Sequence, residues 1–323
     1  MMTANLSAVT AAAQTYGDER AADQKAVDDA RLNSLQGDYD ALKRDYVSLT
    51  AEYNAYRQSH PDTPVTPPTP EPPTATTLMG SAVNGPLFTT LGYTKVPATR
   101  VFLRQLPAGS TWTNIIGDGG ATGDLKDGIA RATDLIWLSC KETDPKLVDA
   151  FLAKKPAGLP EVWWTHHHEP ENDAPGYTAA QYVAEQKIMS PIARKYGFKF
   201  ATILMRYTFS AGSGRDWHDY WPGAAFVDIF GCDSYNTGNK KQTYSDPKSQ
   251  VDPIRSAADS VGKPWAIGET GASIFNNQPA PRTKWAADLK AEGIRQGARA
   301  FLWWDQDTYV FDKPTAEAWL GTP

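Results

Sequence analysis

Glu161-Val162-Trp163-Trp164-Thr165-His166-His167-His168-Glu169-Pro170-Glu171-Asn172 begins as an apolar, aromatic run and ends in histidines, a carboxylic acid and a proline. The first half has the makings of a buried strand. The abrupt change then sets titratable groups at its C-terminal end. A buried strand that delivers polar groups at that end is how an α/β barrel builds a site. A second stretch answers the first: Pro264-Trp265-Ala266-Ile267-Gly268-Glu269-Thr270-Gly271, again an apolar strand that ends in a glutamate.

Around these two, short apolar runs alternate with glycine-rich turns and amphipathic helical patterns from about residue 76 onward. Eight runs read as strands: Leu78–Val83, Arg100–Leu103, Leu135–Ser139, Val162–His166, Phe200–Met205, Phe226–Cys232, Trp265–Gly268 and Ala300–Trp304. Helical patterns lie between several of them, at Pro145–Lys154, Ala179–Tyr196, Asp252–Val261, Thr283–Gln296 and Thr315–Leu320. Eight alternating units over residues 76–323 have the size and rhythm of a (β/α)8 TIM barrel. A doubly wound sheet would need a glycine-rich phosphate turn after an early strand. Gly117-Asp118-Gly119-Gly120 lacks both the spacing and the strand.

The barrel is preceded by two segments of different texture. In residues 1–60 an apolar series runs Leu32, Leu35, Tyr39, Leu42, Tyr46, Leu49, Tyr53, Tyr56. Its spacing alternates three and four, which is a heptad seam and predicts a left-handed coiled coil. One helix cannot bury so narrow a stripe alone, so self-association is expected. The bulky tyrosines favour a trimer over a dimer, and a helix folded back on the barrel is the alternative. Residues 61–75 are Pro/Thr-rich and predict a polyproline II linker.

Composition narrows the partners. The 323 residues carry a net charge of −5, which argues against nucleic acid and anionic membrane. No stretch is long and apolar enough to insert in a membrane. Met1-Met2-Thr3-Ala4-Asn5-Leu6 lacks the basic segment and apolar core of a signal peptide. Cys140 and Cys232 both fall in apolar runs and read as buried thiols rather than a disulfide framework. Eleven tryptophans suit either core packing or stacking on sugar faces, and composition does not separate the two.

If the strand count holds, Glu169 closes strand four and Glu269 closes strand seven, both at the top of the barrel. Two carboxyls on opposite sides of a bond are what glycoside hydrolysis needs: one protonates the leaving oxygen, the other attacks the anomeric carbon or activates water. Either glutamate alone would read as a surface-loop acid. The three histidines invite a metal. On an extended strand, however, His166 and His168 share one side and His167 faces the other, so the triplet does not converge on one ion. No metal and no cofactor is expected. The histidines are expected to donate to sugar hydroxyls and to support Glu169. Glu171 is expected to leave the pocket, because Pro170 bends the chain.

At this point the chain resembles a known family. Its pattern is that of the retaining glycoside hydrolases of the barrel clan with glutamates on strands four and seven, and within that clan of glycoside hydrolase family 26, the β-mannanase and xylanase family. His168-Glu169 resembles the family's His-Glu pair. Trp221-Pro222-Gly223-Ala224-Ala225-Phe226-Val227-Asp228-Ile229-Phe230-Gly231-Cys232-Asp233-Ser234-Tyr235 resembles its strand-six signature, and Gly268-Glu269-Thr270-Gly271 resembles its nucleophile strand. The resemblance covers the barrel alone, and the His166-His167 pair departs from the pattern. It implies an endo-glycosidase with Glu169 as acid/base and Glu269 as nucleophile. Tyr235 would orient Glu269, His168 and Asp233 would contact the sugar, and Trp304 would floor the subsite where the sugar distorts. Trp303 would then pack the core.

A glycosidase barrel on an oligomeric stalk, with no export signal, fits a phage tail or virion component that acts on cell-surface polysaccharide and meets other tail proteins. A cytoplasmic enzyme is the other placement. A barrel kept for carbohydrate adhesion, with weak turnover or none, is the alternative function.

Overall fold

In a computed structural model of the chain, residues 76–82, 85–103, 105–113 and 125–323 are described. The expected coiled coil (1–60) and linker (61–75) lie outside the described residues. Within them, the strands are β1 (Leu78–Ala82), β2 (Val96–Leu103), β3 (Ala132–Cys140), β4 (Glu161–His166), β5 (Lys199–Met205), β6 (Ile229–Asp233), β7 (Trp265–Thr270) and β8 (Ala300–Trp303). Each pairs in parallel with the next, and β8 returns to β1, which closes the expected eight-stranded barrel.

The five expected helices are present as Pro145–Leu152, Ala179–Lys195, Pro247–Ser260, Pro279–Arg295 and Lys313–Leu320. Two short ones, Pro86–Thr89 and Leu125–Arg131, add to them. Side-chain caps decide where most of the longer helices start. Asp144, Asp246 and Asp312 each accept a backbone N–H of the first turn, and Thr178 and Gln181 form a reciprocal capping box. The helix from Pro247 begins five residues before its expected start at Asp252. Pro247 and Pro253 mask its first turns in the sequence, though a proline at the helix start costs no intrahelical bond.

The strands bury both faces, and the period of two sorts their side chains. Leu135, Trp137, Trp163, Ala201, Ile203, Ile229, Ala266, Ala300, Leu302 and Ala98 fill the barrel interior. Trp137 and Trp163 meet edge to face there, with ring centroids 5.0 Å apart. Their neighbours in sequence, such as Val101, Leu138, Trp164, Phe230, Ile267 and Trp303, pack outward against the helices.

Toward the C-terminal ends of the strands the interior turns polar. Thr165 accepts from Trp137 Nε1 at 2.8 Å and donates to the Ala201 carbonyl at 2.8 Å. Above it sit Arg100, Ser139 and Asp233, all buried. This change from apolar to polar along the barrel axis places the site.

One strand differs from its expected bounds in a way that matters. The run Phe226–Cys232 was expected as strand six, yet Ala224–Phe226 is a short 3-10 turn and β6 starts at Ile229. Asp228 holds the chain back: its carboxylate takes the Phe200 N–H at 2.8 Å and Arg194 at 2.8 and 3.0 Å. The strand therefore ends on Asp233 itself, in register with Glu269 across β6 and β7. Cys140 and Cys232 are buried and unbridged, as expected. Among the described residues no helix is long and apolar enough to cross a membrane.

Candidate active site

Four strands bring the site together. On β2 the period of two turns Ala98, Arg100 and Phe102 inward. On β6 it turns Asp233 inward. On β7 Ala266 and Gly268 face in, and the ladder register shifts between Ile267 and Thr270, which lets Glu269 reach the rim beside Asp233. Gly268 is the gap that admits the charged groups. A Cβ there would lie 2.5 Å from Arg100 Nη1 and 2.7 Å from Asp233 Oδ1.

Glu169 arrives differently. The strand ends at His166, and both His167 (φ 54°) and Glu169 (φ 52°) adopt the left-handed conformation, rare for residues with a Cβ. Backbone bonds fix this turn. His167 N–H reaches the Cys140 carbonyl at 2.8 Å, and Glu169 N–H reaches Ile203 on β5 at 3.0 Å. Pro170–Asn172 then forms a single 3-10 turn. Asn172 Nδ2 donates to Glu169 Oε2 at 2.9 Å.

The result is a triad of acids. One oxygen each from Glu169, Asp233 and Glu269 lie within 4.8 Å of one another. Beneath them, fully buried, is the Arg100 guanidinium. Its Nε and Nη2 donate to Ser139 Oγ at 3.2 and 3.0 Å. Its Nη1 is shared between Asp233 Oδ1 at 2.9 Å and Glu269 Oε1 at 3.0 Å. Tyr235 O–H donates to the other Glu269 oxygen, Oε2. Burial and the adjacent Glu269 hold the Tyr235 phenol well above its usual range, so it keeps the proton it donates.

One cation among three carboxyls cannot neutralise them all, and the site retains protons. Burial, and then repulsion from Glu269, lift Glu169 to about 7 against the pull of Arg100 and Asn172. Burial and the two glutamates also push Asp233 well above the carboxylate range, despite Arg100. His168 is held neutral, well below its ordinary value, by burial and by the charges of Arg100 and Lys141.

An aromatic wall closes one side. Phe102 meets His168 edge to face at 5.1 Å and Trp304 at 5.4 Å, and it covers Arg100 at 4.4 Å. Trp304 is half-buried on this wall, whereas Trp303 is buried outside the barrel among Phe311 and Trp319. On another side Tyr309 stacks on Tyr235 at 5.1 Å.

The structure thus brings together Glu169, Glu269, Asp233 and Tyr235, with His168 and Trp304 on the flanking wall. It does not bring in His166. That residue is fully buried behind β4, where its Nε2 meets Glu185 Oε2 on the helix Ala179–Lys195 at 2.7 Å. The expected parity fails for a physical reason: Trp163 and Thr165 face the interior, so His166 faces out, and the left-handed turn at His167 ends the alternation. His166 and His167 then converge with Glu185, their potential ligand atoms within 4.8 Å, while His168 turns alone to the pocket. Glu171 leaves the pocket as expected; it is buried, accepting from Thr208 Oγ1 at 2.6 Å and Met205 N–H at 3.0 Å.

Arg100 and Phe102 escaped the reading of the sequence. The signal was present: an arginine inside the apolar run Val101-Phe102-Leu103 is either misplaced or paired, and the period of two puts it on the face of Ala98.

No family model matches the chain, and no curated protein matches it. Solved structures do. The catalytic domain of a Bacillus sp. JAMB-750 glycoside hydrolase family 26 endo-β-1,4-mannanase superposes with a TM-score of 0.51 at 15% identity, over 73% of this chain and 79% of that one. The family 26 domain of a Prevotella bryantii endo-β-mannanase/endo-β-glucanase superposes with a TM-score of 0.50 at 12% identity, over 76% of this chain and 89% of that one. At such identities the likeness is one of fold, and the chain shares the (β/α)8 barrel of these glycosidases.

Proposed function

We propose that residues 76–323 form a retaining endo-glycosidase that cleaves a cell-surface or cell-wall polysaccharide by double displacement. The observation that carries this reading is the pairing of two unlike glutamates across one pocket. Glu169 holds a proton near neutrality. Glu269 is fixed by donors on both oxygens. One oxygen of each lies within 4.8 Å of the other, an approach that suits direct attack by Glu269 on a carbon held between them.

In the first step Glu169 gives its proton to the glycosidic oxygen. The bond from that oxygen to the anomeric carbon breaks as Glu269 Oε attacks the carbon, and a glycosyl ester forms. With Glu269 esterified its charge is gone, and the carboxylate left on Glu169 then takes a proton from water, which attacks the anomeric carbon, breaks its bond to the Glu269 oxygen and frees the Glu269 carboxylate. Arg100 and Tyr235 aim the nucleophile. His168, half-buried on the aromatic wall, is the proposed contact to a sugar hydroxyl, and Asp233, buried between Arg100 and the two glutamates, would reach the sugar only beside them. Trp304, half-buried beside Phe102, offers a face to the ring.

The heptad pattern of residues 1–60, read as a trimeric coiled coil, and the Pro/Thr-rich sequence of residues 61–75 fit a phage tail or virion component. The test is release of reducing ends from a panel of bacterial wall and capsular glycans, with anomeric configuration followed by proton NMR. Turnover with retention is expected, and Glu269→Gln abolishes it while leaving binding. Binding with no reducing ends from any glycan would make the barrel an adhesion module instead.

A further inference from the structure

The turn that carries Glu169 is fastened by side chains that play no part in the chemistry above. His167 Nε2 donates to Asp173 Oδ2 at 2.7 Å, closing a seven-residue loop with Glu169 inside it. Lys141 Nζ, just past β3, holds the same Asp173 oxygen at 2.7 Å. The His167 ring lies flat on Tyr177, with centroids 3.8 Å apart and planes within 5°. Tyr177 O–H in turn donates to Glu185 Oε2 at 2.6 Å, the oxygen that also meets His166. The neighbouring Gln186 holds the His166 carbonyl at 2.8 Å. Two left-handed residues, His167 and Glu169, sit in this loop, a conformation unfavourable for side chains with a Cβ unless their surroundings hold it. Backbone bonds alone fix only their amides.

We propose that His167 is a positioning residue: its closure onto Asp173 and its stack on Tyr177 hold the left-handed turn shut and keep the Glu169 carboxyl inside the pocket. The name acid/base for Glu169 rests on the proposed function, but the positioning does not. Groups that face Glu169 are Arg100 on β2, Asp233 on β6, Glu269 on β7, Tyr207 after β5 and Asn172 on its own turn. Those that face His167 are Asp173, Lys141, His166, Tyr177 and Glu185. Because burial is the largest cause of the raised Glu169 value, a turn that swings open returns the carboxyl to water and lowers it.

The experiment is a carboxyl-carbon NMR titration of the full chain carrying labelled glutamate, with Glu169→Gln identifying the signal. In the wild type Glu169 titrates near 7. In His167→Ala and Asp173→Ala it is expected to fall by about one unit or more toward the usual glutamate range, with the melting temperature nearly unchanged. His167→Gln, which replaces the donor to Asp173, is expected to restore most of the shift. Asp173 is exposed, so its variant serves if His167→Ala does not fold. A Glu169 titration that stays at the wild-type value in a folded Asp173→Ala or His167→Ala overturns the proposal. No substrate enters the measurement, so this outcome is separate from any failure to find a glycan that is cleaved.

Discussion

Replacing Arg100 with methionine tests the electrostatics at the centre of the barrel. Methionine fills much of the same volume, so the change is one of charge and hydrogen bonding. It removes two bonds to Ser139 and the shared contact to Asp233 and Glu269. Two charge-assisted bonds at about 1.5–3 kcal/mol each put the loss at about 3–6 kcal/mol. Measurements on broken buried ion pairs give a similar range, about 3–5 kcal/mol. The loss should depend on pH. Without the cation, Asp233 and Glu169 gain an even stronger preference for their protonated forms in the folded state. Acids whose folded value is raised bind more protons folded than unfolded, so they cost stability as pH rises above the unfolded range near 4. The deficit of Arg100→Met relative to wild type should therefore grow between pH 5 and pH 8. Arg100→Lys should rescue little, because one ammonium cannot span Ser139 and both carboxylates. Urea unfolding at the two pH values reads this directly. A variant as stable as wild type at pH 8 would refute the account of Arg100 as the neutralising charge.

Three further outcomes follow from the same geometry. The kcat/KM of the wild type should fall above pH 7, since Glu169 must carry its proton to act and loses it near that value; Glu169→Gln should remove this basic limb and cost about 10²- to 10⁴-fold in turnover of a substrate with a poor leaving group. Tyr235→Phe deletes the donor to Glu269 Oε2 and should lower kcat about 10- to 100-fold in steady-state assays while the melting temperature barely moves. Gly268→Ala would drive a methyl to 2.5 Å from Arg100 Nη1, so calorimetry should record a loss of about 1–3 kcal/mol together with loss of turnover.

The barrel was legible because its signals are local. Apolar runs of strand length, helix patterns between them and polar residues at strand ends are each visible within a dozen residues. Glu169 and Glu269 could be singled out for the same reason, since each ends or nearly ends such a run. What escaped depends on contacts across the sheet. Arg100 reads as an anomaly inside β2 until Ser139 on β3, Asp233 on β6 and Glu269 on β7 come to meet it. The start of β6 escaped because Asp228 is bound from outside its own strand, by Phe200 and Arg194.

His166 escaped for a subtler reason. Parity arguments assume that the strand continues, and β4 does not. Its ladder stops at His166: the His167 N–H still completes a rung to Cys140 on β3, but two residues on the Glu169 N–H bonds to Ile203 on β5, the opposite neighbour. Strict alternation from the inward Thr165 would have turned His167 and Glu169 toward the interior as well. The left-handed step at His167 instead sends that ring outward onto Tyr177 and leaves His168 to face Phe102. A run of three histidines before a glutamate is thus divided by one backbone dihedral into two groups with different work. His166 and His167 anchor the outside of the barrel to the helix and loop behind β4, and His168 lines the pocket. The acid that follows owes its position to that division: beyond the turn at His167, a Glu169 oxygen comes to within 4.8 Å of one on Glu269.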